Sequence, residues 1–356
     1  MTTPEELKPV MAEALDEFCV KVMRRAGVSE EHARLSSEVL VTTDTWGVFT
    51  HGTKLLPGYV KRIWGGGIRT DARPEIAKEG PGWAIVDAAS TMGQVSSVFA
   101  MRLAIEKARG TGVAYVGVRN GNHFGAAGYY AWLAAREGLI GMAMSNDIPS
   151  VAAPGSRVAV TGSNPIAYAV PAGAHDPIFL DMATSTVAGG KIYAARARGN
   201  PIPPDWLIGP DGLPTTDASL YPQKAVLMPM AAHKGFGLAL LIESLSAAMT
   251  GAGVTWQVGS WIFGDPSLGT NHGAAFLAFD VGAMMPLDEF RDRVDAIIRE
   301  VHAAPTAPGV ARVFVPGEME WERRRKALAE GIPLPIELRE ALRKLGSELE
   351  VELPGL

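Results

Sequence analysis

Gly117-Val118-Arg119-Asn120-Gly121-Asn122-His123-Phe124-Gly125-Ala126-Ala127-Gly128 (residues 117–128) sets one histidine, His123, on a glycine-punctuated turn directly after an apolar run. The run Val113 to Val118 reads as a buried strand and Ala126 to Arg136 as a helix, so His123 falls where strand gives way to helix. Ligands bind at such junctions in α/β folds. Imidazole is the side chain whose proton equilibrium lies nearest neutrality, which suits a general acid or base. An isolated histidine is more often a cap or a packing residue. Here Gly121, Gly125 and Gly128 allow a ligand to approach the backbone closely, and they tip the balance toward a site.

Outward from this turn, short apolar strands alternate with helices. Trp83 to Val86 is a strand, Val95 to Arg109 a helix, and Leu139 to Met144, Ile166 to Val170 and Ile178 to Leu180 are further strands. That alternation predicts an α/β fold. The flanks are helical. Thr3-Pro4-Glu5-Glu6 reads as a helix start, followed by Leu7, Val10, Met11, Leu15, Phe18, Cys19, Val22 and Met23 at helical spacing and a stop at Gly27. Ser29 opens a second helix to about Asp44, and Leu55 to Trp64 forms a third, ended by Gly65-Gly66-Gly67. Beyond residue 285 an amphipathic helix carries Phe290, Val294, Ile297, Ile298 and Val301 on one face. A short strand at Val313 to Val315 and further helices follow.

The chain of 356 residues is long enough for two lobes. With 47% hydrophobic and 20% charged residues its composition is that of a globular protein, and 40 glycines and 25 prolines imply many turns. A net charge of -5 and the lack of a clustered basic block argue against a nucleic-acid partner; Arg323-Arg324-Arg325-Lys326 is interleaved with glutamates and reads as a solvated helix face. Cys19, the only cysteine, excludes an internal disulfide and a thiolate-rich metal site, so no metal is expected. Acidic Glu5 and Glu6 in place of a basic leader fit a cytoplasmic protein, and no stretch is long and apolar enough to span a bilayer.

Other stretches carry chemistry. Thr50-His51-Gly52 sets a second histidine beside a glycine near a helix end, where the helix dipole alone would also favour it. Asp147, before Ile148-Pro149, is placed to orient a histidine, to bind a sugar hydroxyl or merely to form a turn, and spacing leaves these open. Asp181-Met182-Ala183-Thr184-Ser185 is predicted to open a helix containing Lys191, whose start would attract phosphate. Residues 199–230 read as a long surface loop. His233-Lys234-Gly235-Phe236-Gly237 leads into Leu238 to Met249, apolar all round and so expected to be buried, with Glu243 inside it needing a partner. A lysine at a helix start makes most sense if an anion binds there too. No Gly-x-Gly-x-x-Gly follows any strand, and no phosphate loop occurs.

Taken together, Thr50-His51-Gly52, Asn122-His123-Phe124-Gly125-Ala126-Ala127-Gly128-Tyr129-Tyr130, Gly162-Ser163-Asn164-Pro165-Ile166-Ala167, Asp181 to Ser185, Gly190-Lys191, His233-Lys234-Gly235-Phe236-Gly237-Leu238 and Val315-Pro316-Gly317-Glu318 resemble the malate/L-lactate dehydrogenase family, which is distinct from the Rossmann-fold dehydrogenases. The match runs in order along nearly the whole chain. The resemblance implies a non-Rossmann NAD(P)-binding α/β domain with a mixed sheet over residues 76–285. A largely helical domain would be built from segments 1–75 and 286–356. It also implies a homodimer and hydride transfer between NAD or NADP and a 2-oxo or 2-hydroxy acid, with His123 or His51 as the proton donor or acceptor; His123 is favoured. Asp181, Met182, Ala183, Ser185, Lys191, Lys234, Gly235, Pro316, Gly317 and Glu318 match cofactor contacts, and Thr50, Lys54 and Asp147 are candidate substrate contacts. Most relatives carry an arginine four residues after the first histidine, where this chain has Leu55, and Trp46 also stands where an arginine is usual. Two rival readings are a reductase of cyclic imino acids and a cofactor-binding protein without catalysis.

Overall fold

The computed structural model describes residues 9–353. Helices α1 (Ala12–Arg25), α2 (Glu30–Thr45) and α3 (Leu56–Gly65) come first, followed by β1 (Glu75–Gly80), β2 (Trp83–Asp87), α4 (Gly93–Thr111), β3 (Val113–Gly121), α5 (Ala127–Arg136) and β4 (Ile140–Ser145). The short strands β5 (Val151–Ala152) and β6 (Ala159–Thr161) precede β7 (Ile166–Val170), β8 (Ile178–Met182) and α6 (Gly189–Ala197). After them come β9 (Leu207–Ile208), β10 (Pro214–Thr215), β11 (Val226–Leu227), α7 (His233–Glu243), β12 (His272–Phe279), α8 (Leu287–Ala303), α9 (Glu318–Glu330) and α10 (Ile336–Leu349).

The main sheet is mixed, in the order β1-β2-β3-β12-β4-β7-β8, with β2 and β3 parallel and the other neighbours antiparallel. β12 enters late in the chain yet lies at the centre. Its Ala274, Phe276 and Ala278 point into the core shared with α4 and α5, while Ala275 on the alternate face packs with Met144 and Ile242 of α7. A central strand buried on both faces needs small residues where helices cross it closely, and the alanines of β12 supply them. A second small sheet, β10-β9-β11-β5-β6, has three of its five strands, β9, β10 and β11, in the region expected to be loop, because strands of two residues are too short for a periodicity signal.

The flanking helices form their own apolar cluster. Leu15, Phe18, Leu40, Leu56, Tyr59 and Ile63 pack there with Ile332, Leu338 and Leu342 from the C-terminal segment. Ser29 caps α2 by accepting the backbone N–H of His32 at 3.2 Å, worth about 1 kcal/mol. Gly66, at φ 93°, ends α3 in the left-handed conformation that glycine adopts without strain. Leu55 is buried in this cluster.

Several local expectations are corrected. The start at Thr3-Pro4 lies outside the described residues. Val10 is not helical; it pairs with Ile332 in an isolated bridge, and α1 begins only at Ala12, after Pro9. Asp181 and Met182 close strand β8 rather than opening a helix, and α6 starts at Gly189, because Thr184 and Ser185 spend their hydroxyls on the carbonyls of Ser163 and Val187 and not on a helix start. Val313 to Val315 pairs with no strand. The segment after Lys234 is not buried all round: Leu240, Leu241 and Met249 are exposed, and α7 passes into a π-turn at Ser244–Ala248. Among the described residues no helix is long and apolar enough to cross a membrane.

Candidate active site

β3 ends at Gly121 and delivers Asn122-His123 to the mouth of the sheet. Asn122 pins the turn from beneath, donating from Nδ2 to the carbonyls of Ser90 (2.9 Å) and Thr91 (3.0 Å). Gly93 at the start of α4 lets that helix sit directly under the carbonyls of Asn122 and His123, where any Cβ would collide. Gly125, at φ 84°, reverses the chain into α5. Each of these features orients the His123 ring toward one cleft.

His51 comes to the same cleft from the other side, on a 3-10 turn (Phe49–His51) between α2 and α3. The two imidazoles face each other with centroids 6.0 Å apart and planes 30° apart. Thr50 Oγ1 lies 3.0 Å from His51 Nδ1, and Tyr59 of α3 places its hydroxyl 2.8 Å from His123 Nδ1. In both rings Nε2 has no hydrogen-bond partner among the described residues. Trp261 stacks on His123 at 4.4 Å. Burial lowers the basicity of both: His51 falls below its ordinary value, and His123 drops to about 3 through desolvation, with the charges of His51 and His272 adding to it. Burial pushes the Tyr59 phenol well up, so it stays a neutral hydroxyl.

A third histidine completes the cleft. His272 opens β12, lies edge-on to His123 at 6.3 Å, and is bonded through Nδ1 to Thr270 Oγ1 (2.7 Å) and through Nε2 to Asp147 Oδ1 (3.1 Å). Asp147 therefore orients a histidine, but that histidine is His272. Sequence reading passed over His272, Tyr59 and Trp261; an Asn-His-Gly at a strand start was visible as His beside Gly, whereas nothing in spacing marks a tyrosine or a tryptophan as facing a cleft.

Asp44 supports the His51 turn. It is buried (1% exposed), and its Oδ2 accepts the N–H of Thr53 at 3.1 Å and its hydroxyl at 2.5 Å. Oδ1 has no partner among the described residues, and Gly52 leaves room for it where any Cβ would clash. Burial raises the carboxyl from 3.8 to about 7, with the Thr53 bonds opposing. The folded state thus holds a proton that the unfolded chain releases near pH 4. The stability linked to Asp44 is fully present below that pH and is lost as pH rises through about 7. Asp44→Asn is expected to melt higher than the wild type at pH 8 and by a smaller margin at pH 5; a melting difference that stays constant between these pH values would contradict this account.

Several of the cofactor candidates come together around the ends of β8, α6 and α7. Asp181 at the end of β8 accepts the Gly128 N–H in the first turn of α5 at 2.8 Å. Phe179, two residues earlier, donates its N–H to Pro316 O at 3.0 Å and packs against Gly317, which sits at φ 95°. Ala183 follows the strand, and Ser185 forms an isolated bridge with Pro229. Gly235 lets the start of α7 rest on the carbonyls of Met230 and Thr184, which brings exposed Lys234 beside the 181–185 segment. Gly190 of α6 sits against the Thr50 methyl, so Lys191 borders the His51 turn. The first turns of α6 and α7 are capped by no side chain and each carries a lysine, which fits the phosphates of a dinucleotide. Two candidates stand apart. Lys54 is exposed and pairs with neither histidine, and Glu318 is engaged by His302 (2.6 Å) and by the Val315 N–H (3.0 Å). Among the described residues no cluster suited to a metal ion occurs.

Comparison with known proteins places the chain in a family. The family profile described as malate/L-lactate dehydrogenase matches residues 10–343. The malate dehydrogenase of Pyrococcus horikoshii is 35% identical over 350 residues, covering 96% of each chain. The malate/(S)-sulfolactate dehydrogenase of Methanothermus fervidus is 36% identical over 339 residues, 94% of this chain and 96% of its own. The crystal structure of malate dehydrogenase from Entamoeba histolytica superposes with a TM-score of 0.92 at 32% identity, covering 98% of this chain and 99% of that one. The chain belongs to the malate/L-lactate dehydrogenase family and is an NAD(P)-dependent oxidoreductase acting on the CH–OH group of a 2-hydroxy acid.

Proposed function

We propose that His123 is the acid/base of this reaction and that His51, across the cleft, orients the reacting oxygen. The observation that carries this reading is the facing pair of imidazoles 6.0 Å apart, each with Nδ1 engaged and Nε2 left for substrate. When bound, the nicotinamide dinucleotide supplies or takes the hydride. In oxidation, His123 Nε2 takes the substrate hydroxyl proton while its Nδ1–H is donated to Tyr59 Oη. In reduction, the protonated ring returns that proton to the developing alkoxide. Nδ1 keeps its hydrogen in the neutral and in the protonated ring, so the Tyr59 oxygen accepts from it in both states. Trp261 covers the ring and keeps water from competing.

Asp181, Met182, Ala183, Ser185, Lys191, Lys234, Gly235, Pro316 and Gly317 hold the cofactor in this reading, and Thr50 and Asp147 border the substrate. Glu318 shapes the Pro316-Gly317 turn through its bond to the Val315 N–H. In this reading the helical body of segments 1–75 and 286–356 and the α/β body of 76–285 meet at the cleft, and they interlock there: Trp46 and Trp321 pack into the core of the sheet, and Met92 and Val95 into the helical cluster. A homodimer closes over the exposed Leu240, Leu241 and Met249 of the α7 region. A cytoplasmic location suits the buried, unpaired Cys19.

The test is turnover of NADH or NADPH with a panel of 2-oxo acids and cyclic imino acids. Oxidation of cofactor by 2-oxo acids supports the proposal, whereas turnover of cyclic imines alone, or binding of cofactor without turnover of anything in the panel, refutes it.

A further inference from the structure

We propose that Asp147 selects the substrate class, favouring 2-oxo and 2-hydroxy acids whose distal group donates hydrogen bonds, such as an amide or ammonium, over those that end in a second carboxylate. This rests on the reading that the cleft handles 2-oxo acids.

The hydrogen-bond directions around Asp147 are forced. Asn122 spends both amide hydrogens on the carbonyls of Ser90 and Thr91, so its Oδ1 must accept, and the Thr270 backbone N–H donates to it at 3.4 Å, leaving the Thr270 hydroxyl hydrogen for His272. Because His272 gives its Nε2–H to the Asp147 carboxylate, its Nδ1 is the bare nitrogen and accepts from Thr270 Oγ1 at 2.7 Å. His272 Nε2 in turn donates to Asp147 Oδ1 at 3.1 Å, beside the Ile148 N–H at 2.8 Å. The chain of bonds runs one way and ends on the carboxylate. Burial alone would raise the Asp147 pKa, but the hydrogen bond and charge of His272, with help from His123 and Ile148, more than offset this and hold it below the ordinary value. It therefore stays ionised and only accepts.

Oδ1 is filled. Oδ2 has no hydrogen-bond partner among the described residues, and the side chain remains 26% exposed. Asp147 is bonded to His272, whose ring lies edge-on to His123 at 6.3 Å, which sets the carboxylate beside the same cleft. Among the described residues no arginine or lysine hydrogen-bonds or ion-pairs with His51, His123, His272 or Asp147. Arg62, one turn along α3 from Tyr59, is the buried guanidinium nearest in sequence to the cleft residues, and both its terminal nitrogens are held by the carbonyls of Trp261, Asp265 and Leu268, with Nε unpartnered among the described residues. A second carboxylate on the substrate meets an acceptor with an acceptor and a charge with a like charge. An N–H group satisfies the free oxygen.

The experiment compares kcat/KM for matched pairs, 2-oxosuccinate against its distal monoamide and 2-oxoglutarate against its distal monoamide, in the wild type and in Asp147→Asn. The wild type is expected to favour the amide of each pair by about tenfold or more. In the variant a carboxamide nitrogen replaces the free oxygen and presents a donor, and the preference is expected to shrink by about tenfold or to invert. A wild type that favours the diacids overturns the proposal whether or not the variant folds. A ratio unmoved in a folded variant overturns it too, including the case in which only the KM for the dinucleotide rises. Turnover of diacids alone leaves the dehydrogenase reading standing and sinks only this inference, whereas no turnover of any 2-oxo acid sinks both.

Discussion

His123→Ala is expected to lower kcat by about two to four orders of magnitude while the protein still folds, because the substitution removes the one group positioned to move the substrate hydroxyl proton. The ring is held by a hydroxyl on Nδ1 and an indole on its face, and neither contact ties the main core together, so its loss leaves the sheet intact. The pH dependence gives the same assignment an independent check. With its pKa lowered to about 3, His123 is neutral throughout the working range in the empty cleft. Oxidation needs the neutral ring, so its kcat/KM should be flat on this account from pH 5 to 8. Reduction needs the protonated ring, so its kcat/KM should fall about tenfold per pH unit over the same range. A reduction profile that instead holds a plateau up to pH 6.5, or His123→Ala turnover within tenfold of the wild type, would place the proton donor elsewhere.

Trp46→Ala is expected to cost about 3–5 kcal/mol of folding stability, measured by denaturant unfolding. Trp46 is 1% exposed and packs on Phe179 at 4.9 Å, Trp132 at 5.7 Å and Trp321 at 5.8 Å, so it joins the end of α2 to β8, α5 and α9. Its removal leaves a void among large rings that cannot all collapse into it. Phe179 also packs on Gly317 and lies two residues from Asp181, so the same substitution is expected to raise the KM for the dinucleotide. A loss below about 1 kcal/mol would mean that the cluster is not what holds these elements together. The arginine usual at this position in the resembling family has no place here: a guanidinium among Phe179, Trp132 and Trp321 would be buried without an anion.

Much of the fold was legible because its longer elements follow simple periods. α2 begins at the serine that its capping pattern indicated, α5 starts within a residue of its expected bound, β3 starts at Val113 as expected but runs three residues further to Gly121, and α8 packs Phe290, Val294, Ile298 and Val301 of its expected face while Ile297 is exposed. The misreadings cluster where local pattern and tertiary demand differ. Asp181 to Ser185 has the composition of a helix start, but pairing of β8 with β7 extends the strand to Met182, and the two hydroxyls find carbonyl partners elsewhere. The small sheet around β9 and β11 escapes any periodicity test because two residues make no period. The long helix after Lys234 is apolar enough to read as core, yet part of it faces outward.

By itself the amino-acid order determined the class of fold, the family and the two histidines, because strand and helix periods, glycine positions and motif order are local properties of the chain. The third histidine, the tyrosine on His123 and the direction of the hydrogen bonds ending on Asp147 were decided only by the tertiary structure. Tyr59 and His123 are 64 residues apart and Asp147 and His272 are 125 apart, so their meeting depends on how β12 inserts between β3 and β4 and on where α3 lies against the sheet. Which side chain then accepts and which donates follows from distances of about 3 Å that no spacing along the chain encodes.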